Sequence, residues 1–393
     1  MSKILYIGPV RDFSGYATAA RGYVQALHDA GADLVVRPVR YDQADPGSAY
    51  KPTELESKLL KRDLDGIDIV IQHLTPNEMR PVEGKVNIAV VAWETTRIPA
   101  YWAEKLNKFD AVMTFCQASV DAFKDCGVTV PIEKIPHTFD MSSYSLDAIE
   151  PISSSQAPAF LTDRFVFYNI SQFSTKKGID LMLRAYYGAF HGKGEEVVLM
   201  FKTYVNMMGR SNEQAKLQQY VEAVKAGMRL PKEGYPPVML ITKTLTDEQI
   251  TKMHATGDAY VCSSRGEGWC IPAFEALAYG NKLVTTLWGG MGEFAQRDES
   301  NIPRANVYPV DYTLEPLVGQ DNPDPELYTA FDKVAEPSVS SLMDQMTKAY
   351  NSRDSKVAAP DMREYDYSVV GPQMLEWIKG VVESTQVKEV TNV

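Results

Sequence analysis

The chain lacks the sequence features of membrane proteins, metalloproteins and disulfide-rich secreted proteins. None of its 393 residues belongs to an apolar run of about 18 residues, the length needed to cross a bilayer. The four cysteines form no CxxC pair, and the five histidines show no HExxH spacing. The N-terminus runs directly into a strand-like stretch and does not resemble a signal peptide. We therefore expect a cytoplasmic protein with no integral membrane segment, no metal site and no bound cofactor.

The first predicted strand is followed by no dinucleotide-binding fingerprint. From Gly8 to Gly15 the chain reads Gly-Pro-Val-Arg-Asp-Phe-Ser-Gly, which is not GxGxxG. This disfavours a nicotinamide-dependent dehydrogenase or sugar epimerase. Gly15 opens the first predicted helix, where a missing side chain would let an anion approach the helix N–H groups. A simple turn glycine is the alternative interpretation.

The net charge of −11 is distributed unevenly. Residues 1–150 carry 16 Lys and Arg against 21 Asp and Glu, and residues 311–393 carry 7 against 15. Residues 161–310 carry 17 against 15, a net charge of +2. The middle of the chain therefore tolerates an anionic ligand best. The overall acidity disfavours a broad polyanion-binding surface.

Short apolar runs alternate with amphipathic segments of helical length, a pattern typical of parallel α/β layers. The predicted strands form two groups of five: Ile4–Ile7, Asp33–Arg37, Ile67–Gln72, Val86–Ala92 and Ala111–Phe115, then Phe165–Ile170, Val197–Phe201, Val238–Thr242, Ala259–Cys262 and Leu283–Thr286. The predicted helices are Gly15–Ala30, Gln117–Cys126, Gly178–Phe190, Ser211–Ala226, Asp247–Ala255 and Pro272–Tyr279. Ser142–Pro158, rich in Ser, Ala and Pro, is predicted to be an interdomain linker.

The most informative segment follows the strand Ala259–Cys262. From Ser263 to Glu275 it reads Ser-Ser-Arg-Gly-Glu-Gly-Trp-Cys-Ile-Pro-Ala-Phe-Glu, a glycine-containing turn with proline at the start of a helix. The carboxyl ends of parallel strands are where α/β proteins bind ligands. Glu267 lies in the turn and Glu275 in the helix, and each carboxylate can accept hydrogen bonds from paired hydroxyls. The helix N-terminus between them suits a diphosphate.

This segment resembles the E-x7-E segment of the family 4 retaining glycosyltransferases, whose usual form is EGFG-x-P-x-x-EAMA-x-G-x-P-V. The strand Leu283–Thr286 and the pair Gly289-Gly290 are similar to the family's next strand and glycine pair. The resemblance implies a GT-B fold, an α/β architecture of two Rossmann-like domains whose parallel sheets face a central cleft. We expect an acceptor-binding domain at residues 1–150, with a C-terminal helix at about 369–393 packing back on it, and a donor domain at 160–368.

The same resemblance implies site roles. Glu275 would bind the donor's ribose hydroxyls, and Glu267 would contact the transferred sugar near the reacting carbon. Three neighbours of the turn are predicted to contact the donor: Gly268, Trp269 and Ile271. Cys270 replaces the usual second glycine of the motif.

A second block, from Tyr168 to Leu181, is similar to the family's GR-x4-KG-x-D-x-L segment, whose arginine and lysine neutralise the donor diphosphate. Lys177 matches the lysine, whereas Gln172 stands where the arginine is expected. Lys202, at the end of a predicted neighbouring strand, is the candidate to restore the missing charge, with a solvated surface lysine as the alternative.

The first domain contributes candidates for the acceptor side. The segment Val91–Pro99 is similar to a W-E-x-x-x-x-P segment in a branch of the family, and Glu94 stands where better-known members carry a histidine. A polar group at a strand end can orient an acceptor, although Glu94 could instead cap the helix near Pro99. His73 and His137 are weaker candidates, and structural histidines are the alternative.

The resemblance implies a retaining transfer from a nucleotide-diphosphate sugar to a hydroxyl acceptor. The acceptor would be a glycan or lipid-linked glycan, or a hydroxymethylated DNA base if the chain belongs to a phage and acts in the host cytoplasm. A non-catalytic nucleotide-sugar binding protein remains the alternative. The acidic segment between Asp311 and Lys333 is predicted to be loop-like and receives no role.

Overall fold

The computed structural model describes residues 2–39, 50–145, 149, 151–152, 161, 163–204, 213–297, 302–318, 326–355 and 358–391. The chain divides into two compact units. The first consists of Met1–Met141 and Met362–Val393, and the second of Ser142–Asp361. Much of the predicted linker Ser142–Pro158 lies outside the described residues. The division between the units falls before the linker and not within it.

The first unit contains a six-stranded, fully parallel sheet in the order β2-β1-β3-β4-β5-β6. Its elements are β1 (Lys3–Gly8), α1 (Gly15–Asp29), β2 (Asp33–Pro38), α2 (Glu54–Lys61), β3 (Ile67–His73), β4 (Val86–Val90), α3 (Ala100–Leu106), β5 (Ala111–Thr114), α4 (Gln117–Asp125) and β6 (Ile132–Lys134). The central strands β4 and β5 are apolar and almost wholly buried, as strands covered on both faces must be.

The second unit contains another six-stranded parallel sheet, in the order β9-β8-β7-β10-β11-β14. Its elements are β7 (Phe165–Gln172), α5 (Ile179–Phe190), β8 (Val197–Tyr204), α6 (Glu213–Met228), β9 (Val238–Ile241), α7 (Asp247–Thr256), β10 (Ala259–Cys262), α8 (Ile271–Ala278), β11 (Lys282–Thr286), α9 (Gly290–Ala295), β12 (Gln296–Arg297), β13 (Ile302–Pro303), β14 (Val307–Val310), β15 (Tyr312–Pro316), β16 (Lys333–Pro337) and α10 (Val339–Asn351). Numbered from β7, the sheet has the 3-2-1-4-5-6 order of a Rossmann fold.

The structure tests the predicted fold class and the predicted loop after Asp311. The α/β class with two parallel sheets is confirmed. The loop-like interpretation of the segment between Asp311 and Lys333 is wrong at its N-terminal end, where β15 pairs in an antiparallel hairpin with β16, which begins at Lys333. Both strands are short, and every residue of β15 is exposed, so the alternation of apolar and polar residues in Tyr312–Pro316 does not reflect one buried face.

The core of the second unit is rich in aromatic side chains. Phe167 on β7 lies against Phe190 of α5, with ring centroids 5.1 Å apart, and Tyr350 of α10 contacts both Phe165 and Phe190. All four rings are buried. Helices α5 and α10 therefore cover this sheet through edge-to-face and tilted ring contacts, which favour a single packing arrangement.

The chain returns to the first unit before its last helix, α11 (Tyr367–Thr391). The backbone of Phe139 accepts a hydrogen bond from the Tyr367 N–H at 3.1 Å and donates one to the Tyr365 carbonyl at 2.9 Å. Gly371 brings the backbone of α11 close to Ala26 of α1. This helix includes most of the segment at about 369–393 for which a C-terminal helix was predicted. Within the described part of the chain, no helix is long and apolar enough to span a membrane.

Candidate active site

The second sheet reverses its winding direction between β7 and β10. The chain leaves β7 for β8 on one side and leaves β10 for β11 on the other, so the connections diverge at the carboxyl ends of these neighbouring strands. In doubly wound sheets the resulting crevice is the ligand-binding position. Lys177 follows β7 and Glu267 follows β10. Strand order thus brings two residues that are far apart in sequence to one crevice.

Lys177 and Glu267 form an ion pair in this crevice. The Lys177 Nζ donates a hydrogen bond to the Glu267 Oε1 at 2.5 Å. The two side chains are only 17% and 11% exposed, so their attraction is weakly screened by water. The arrangement combines a cation and a carboxylate at one partly open position.

The two loops that carry this pair are joined through their backbones. Gly178 has φ 60°, and a Cβ atom there would lie 2.1 Å from the carbonyl oxygen of Ser263. The Ser263 hydroxyl donates to the Lys177 carbonyl at 3.0 Å, and the Arg265 N–H donates to the Lys176 carbonyl at 2.8 Å. Glycine is therefore required at position 178 for both its conformation and the close approach.

The β15–β16 hairpin holds the loop after β10 from another side. The Arg265 guanidinium binds both carboxylate oxygens of Glu336, one of them at 2.9 Å, and also donates to the Thr175 carbonyl. The Ala335 N–H donates to the Arg265 carbonyl at 2.8 Å. Arg265 is only 6% exposed, so the pairing satisfies a buried charge. Sequence reasoning missed this function of the hairpin, because nothing in the local pattern links positions 265 and 336.

The turn after Glu267 packs into the core. The indole of Trp269 is 3% exposed and lies against the rings of Phe274 and Phe294. A Cβ atom on Gly290 would lie 2.3 Å from the Trp269 Cα, and the Gly290 N–H donates to the Glu267 carbonyl at 2.9 Å. Because the indole is buried, the predicted contact of Trp269 with the donor would have to use its backbone.

Helix α8 begins without a side-chain cap. Cys270, its N-cap residue, has φ 73°, a left-handed conformation that the glycine of the family pattern would adopt without strain. Its Sγ lies 3.8 Å from the Cys262 Sγ. Gly268 and Ile271 on either side are half-buried. Pro272 has no N–H, and the N–H groups of Ala273 and Phe274 both donate to the Cys270 carbonyl at 3.1 Å. The Ile271 N–H is therefore the first-turn group that an anion could use.

Glu275 lies within α8, and its side chain is 23% exposed. Its Oε2 is 3.4 Å from the Nε2 of His254, a residue of α7 whose side chain is 1% exposed. The other ring nitrogen of His254 is 2.8 Å from the hydroxyl of Tyr168 on β7. Sequence reasoning missed His254, because a lone histidine near a helix end carries no pattern that links it to Glu275.

Lys202 and Gln172 lie on the same face of the second sheet. Gln172 is paired in register with Tyr204, and Lys202 lies two residues before Tyr204, so their side chains point to the same side. The Lys202 Nζ is 4.9 Å from the centre of the Tyr204 ring. Burial lowers the pKa of Lys202, since water no longer solvates its charge fully. A phosphate bound nearby would favour the charged form again.

The two histidines of the first unit are buried in an aromatic cluster. His73 ends β3, and its Nδ1 is 2.7 Å from the Tyr6 hydroxyl. The Nδ1 of His137 is 3.0 Å from the Tyr23 hydroxyl. Burial lowers the pKa of His73 to about 3 and that of His137 well below its usual value. Both imidazoles are therefore neutral at physiological pH, and the structural interpretation fits them better than proton transfer.

The remaining candidates of the first unit, Gly15 and Glu94, follow β1 and β4 in the chain. Gly15 is the first residue of α1, whose N-terminus is capped by the Ser14 hydroxyl. Ser14 in turn donates to the buried carboxylate of Asp12 at 2.5 Å. Glu94 is half-buried in the loop between β4 and α3. Across the described ranges, no three His, Cys, Asp or Glu side chains are grouped so as to hold a metal ion.

Comparisons with known proteins agree with this architecture. Residues 153–303 match the family model described as Glycosyl transferases group 1, a span that includes Lys177, Glu267 and Glu275. The comparison with curated proteins gives no match.

Solved structures with the same fold cover almost the whole chain. An α,α-trehalose-phosphate synthase (UDP-forming) from Burkholderia xenovorans, in complex with glucose-6-phosphate, is 13% identical with a TM-score of 0.59, covering 96% of this chain and 100% of its own. HepE of Anabaena, in complex with UDP-glucose, is 14% identical with a TM-score of 0.60, covering 97% and 100%. A trehalose-6-phosphate synthase described in connection with glycosyl transfer with retention is 12% identical with a TM-score of 0.56, covering 96% and 99%. The chain has the fold of these enzymes, and its second unit contains the residues that match the group 1 glycosyl transferases. Together, the fold and this match support the assignment of the chain as a glycosyltransferase.

Proposed function

We propose that this protein is a retaining glycosyltransferase that moves a sugar from a nucleoside-diphosphate sugar to an acceptor hydroxyl. The observation that carries the proposal is the Lys177–Glu267 ion pair at the carboxyl ends of β7 and β10. It provides a cation for a leaving phosphate and a carboxylate for a sugar within one crevice. UDP is the first nucleotide to test, because the Burkholderia synthase is described as UDP-forming and HepE as a complex with UDP-glucose.

We assign the donor diphosphate to Lys177, Lys202 and the uncapped start of α8. Lys177 can neutralise a phosphate oxygen while it remains close to Glu267, and Lys202 replaces the charge that Gln172 does not supply. The Ile271 N–H at the helix start adds a donor without the cost of burying another charged side chain. Glu275 accepts hydrogen bonds from the ribose hydroxyls, and Glu267 contacts the transferred sugar.

The proposed chemistry needs no covalent enzyme intermediate. The acceptor oxygen attacks the anomeric carbon from the face that the diphosphate leaves, so that one C–O bond forms as the other breaks. The departing phosphate oxygen accepts the acceptor's proton. Glu267 accepts a hydrogen bond from Lys177. Its carboxylate would stabilise the positive charge on the sugar in the transition state by electrostatic attraction, without forming a covalent bond to the sugar.

We assign acceptor recognition to the first unit. Glu94, half-buried in a loop, is the candidate to orient the acceptor hydroxyl. His73 and His137 are neutral there and contribute packing. The acceptor classes to screen are glycans, lipid-linked glycans and DNA with hydroxymethylated bases.

A second function, non-catalytic binding of nucleotide sugars, is favoured by one observation. Gln172 occupies the position of the arginine in the family pattern, so one positive charge is missing from the usual set that stabilises the leaving diphosphate. Such a protein would bind the donor and transfer nothing.

Donor binding is tested by calorimetry and thermal shift with UDP, GDP, ADP and CDP, free and sugar-linked. The variants are Glu275→Ala and, as a matched control on an exposed helix surface, Glu222→Ala. We expect one nucleotide to stabilise the wild type and the control but not Glu275→Ala. Absence of binding by all nucleotides at millimolar concentration would refute the site assignment.

Catalysis is tested separately with the nucleotide sugar that binds. Transfer to a screened acceptor, with the anomeric configuration of donor and product compared by NMR, distinguishes retention from inversion. Binding with neither transfer nor slow donor hydrolysis, in wild type and Glu267→Gln alike, would establish the non-catalytic function instead.

A further inference from the structure

Four side chains from separate parts of the second unit form a polar chain that ends at Glu275. Asn281, which follows α8, donates from Nδ2 to the Tyr168 hydroxyl at 2.8 Å and to the His254 carbonyl at 2.8 Å. The Tyr168 hydroxyl is 2.8 Å from the His254 Nδ1, and the His254 Nε2 is 3.4 Å from the Glu275 Oε2. Tyr168 and His254 are 0% and 1% exposed.

The packing fixes the middle of this chain. A Cβ atom on Gly257 would lie 2.2 Å from the ring of Tyr168, so the helix end that carries His254 rests directly on that ring. The same ring meets Tyr260 edge to face, with centroids 5.2 Å apart. Neither Tyr168 nor His254 can change its position without a shift of the surrounding backbone.

The hydrogen bonds among Asn281, Tyr168 and His254 determine the tautomer of His254. The amide of Asn281 can only donate from Nδ2, so the Tyr168 oxygen accepts there and keeps its own proton to give. The acceptor within reach is the His254 Nδ1. The opposite tautomer would leave the buried Tyr168 proton without an acceptor, at a considerable cost in free energy. The imidazole proton therefore lies on Nε2, the nitrogen nearest to Glu275.

The His254 Nε2 is buried and, among the described residues, has no partner with hydrogen-bond geometry, although the Glu275 Oε2 lies 3.4 Å away. We propose that His254 is a positioning residue, whose Nε2–H takes this oxygen as its acceptor when a ribose is bound, so that the carboxylate presents its remaining lone pairs to the paired hydroxyls. The inference rests on the proposed role of Glu275 in donor binding. His254 is buried whereas Glu275 is partly open, so the histidine acts through the carboxylate and does not touch the nucleotide.

The functional consequence is selection of ribonucleotides. A carboxylate with one oxygen held and its plane fixed can accept from two neighbouring hydroxyls, and it gains little from a sugar that lacks one of them. A carboxylate that can rotate loses this preference, because ordering it costs side-chain entropy at each binding event.

The test compares UDP with 2′-deoxy-UDP by calorimetry, with ADP and 2′-deoxy-ADP in parallel. The variants are His254→Leu, which removes the donor, and Tyr168→Phe, which keeps the ring but removes the hydroxyl that fixes the tautomer. We expect each to weaken binding of the ribonucleotide by about tenfold, the effect of losing one hydrogen bond to a charged group. Binding of the deoxynucleotide should change by less than about twofold, and His254→Gln, with an amide donor near the Nε2 position, should restore part of the preference.

A merely structural role predicts a different result. If His254→Leu and Tyr168→Phe weaken both nucleotides equally, or neither, the positioning role is refuted. The effect of His254→Leu must also vanish in a Glu275→Ala background, because the histidine acts only through that carboxylate. If the folded wild type binds none of the nucleotides, the proposed function itself fails; a wild type that binds and prefers the ribonucleotide, with variants that prefer it equally, refutes only the role of His254.

Discussion

The contact between α1 and α11 depends on the absence of a side chain at Gly371. A Cβ atom there would lie 2.3 Å from the carbonyl oxygen of Ala26 and 2.8 Å from its carbonyl carbon. Both are backbone atoms, so no side chain can rotate away. Since non-bonded heavy atoms need about 3.5 Å, Gly371→Ala must push the two helices apart by roughly 1 Å.

Gly380 on the same helix provides a matched control. It is exposed, and a Cβ atom there would have nothing within 4 Å. Gly380→Ala should stabilise the protein by about 0.5–1 kcal/mol, because alanine favours helix and restricts the unfolded chain. Gly371→Ala gains the same amount but also overpacks the helix contact, which costs typically 1–3 kcal/mol. The two identical chemical changes should therefore differ by about 2 kcal/mol.

The comparison is made by urea denaturation and by calorimetry of both variants and the wild type. For a unit of this size the difference corresponds to a gap in Tm of about 4–8 °C, with Gly371→Ala the less stable variant. The gap should appear in the transition of the first unit, to which both positions belong. Equal stability of the two variants would refute the argument from close helix approach.

Three further predictions concern charged groups of the second unit. Lys177→Met should destabilise the protein by about 2–4 kcal/mol in urea denaturation, because it leaves the carboxylate of Glu267 buried without its cation. Glu336→Gln should destabilise it by about 2 kcal/mol in the same assay, since the buried Arg265 loses its closest anionic partner, and Asp180 is farther away at 3.7 Å. Burial raises the pKa of Asp258, so the folded protein binds this proton more readily than the unfolded chain, and the contribution of Asp258 to stability falls as the pH rises. Asp258→Asn should therefore become more stable relative to wild type between pH 4 and pH 7, as measured by urea denaturation across that range.

Each of these predictions has its own control. Adding Glu267→Gln to Lys177→Met should recover most of the lost stability, and a double variant as unstable as the single one would contradict the ion-pair explanation. Glu315→Gln, on the exposed strand β15, should change stability by less than about 0.5 kcal/mol. If the difference in the free energy of unfolding between Asp258→Asn and wild type stays constant with pH, burial does not raise the pKa of this carboxyl group.

The sequence predicted most of the sheet strands because buried parallel strands are continuous apolar runs. In the two six-stranded sheets, the strands it omitted were β6 and β14. Every residue of β6 is only half-buried, and β14 contains Pro309 at the edge of its sheet, where proline costs no ladder hydrogen bond. The segment Ile132–Lys134 has only one apolar residue, and the proline in Val307–Val310 argues against a strand, so the sequence pattern did not identify them.

The site was predicted by residue type and not by contact. Glu267 and Lys177 were identified from two separate motifs, but their ion pair depends on β7 and β10 being neighbours, which strand order decides. The contacts of Arg265 with Glu336 and of Glu275 with His254 also depend on tertiary neighbours, and there the sequence did not identify Glu336 or His254 as partners. Local patterns indicate which groups are present, whereas tertiary neighbours determine what each group does.

The division of the chain has a consequence for the order of folding. The first unit is discontinuous, since Met362–Val393 belongs with Met1–Met141, whereas Ser142–Asp361 is one continuous segment. A ribosome therefore completes the inserted second unit while the first still lacks α11. We expect Ser142–Asp361 to complete its folding during synthesis before the first unit does. Part of α1 then stays exposed until α11 has been synthesised.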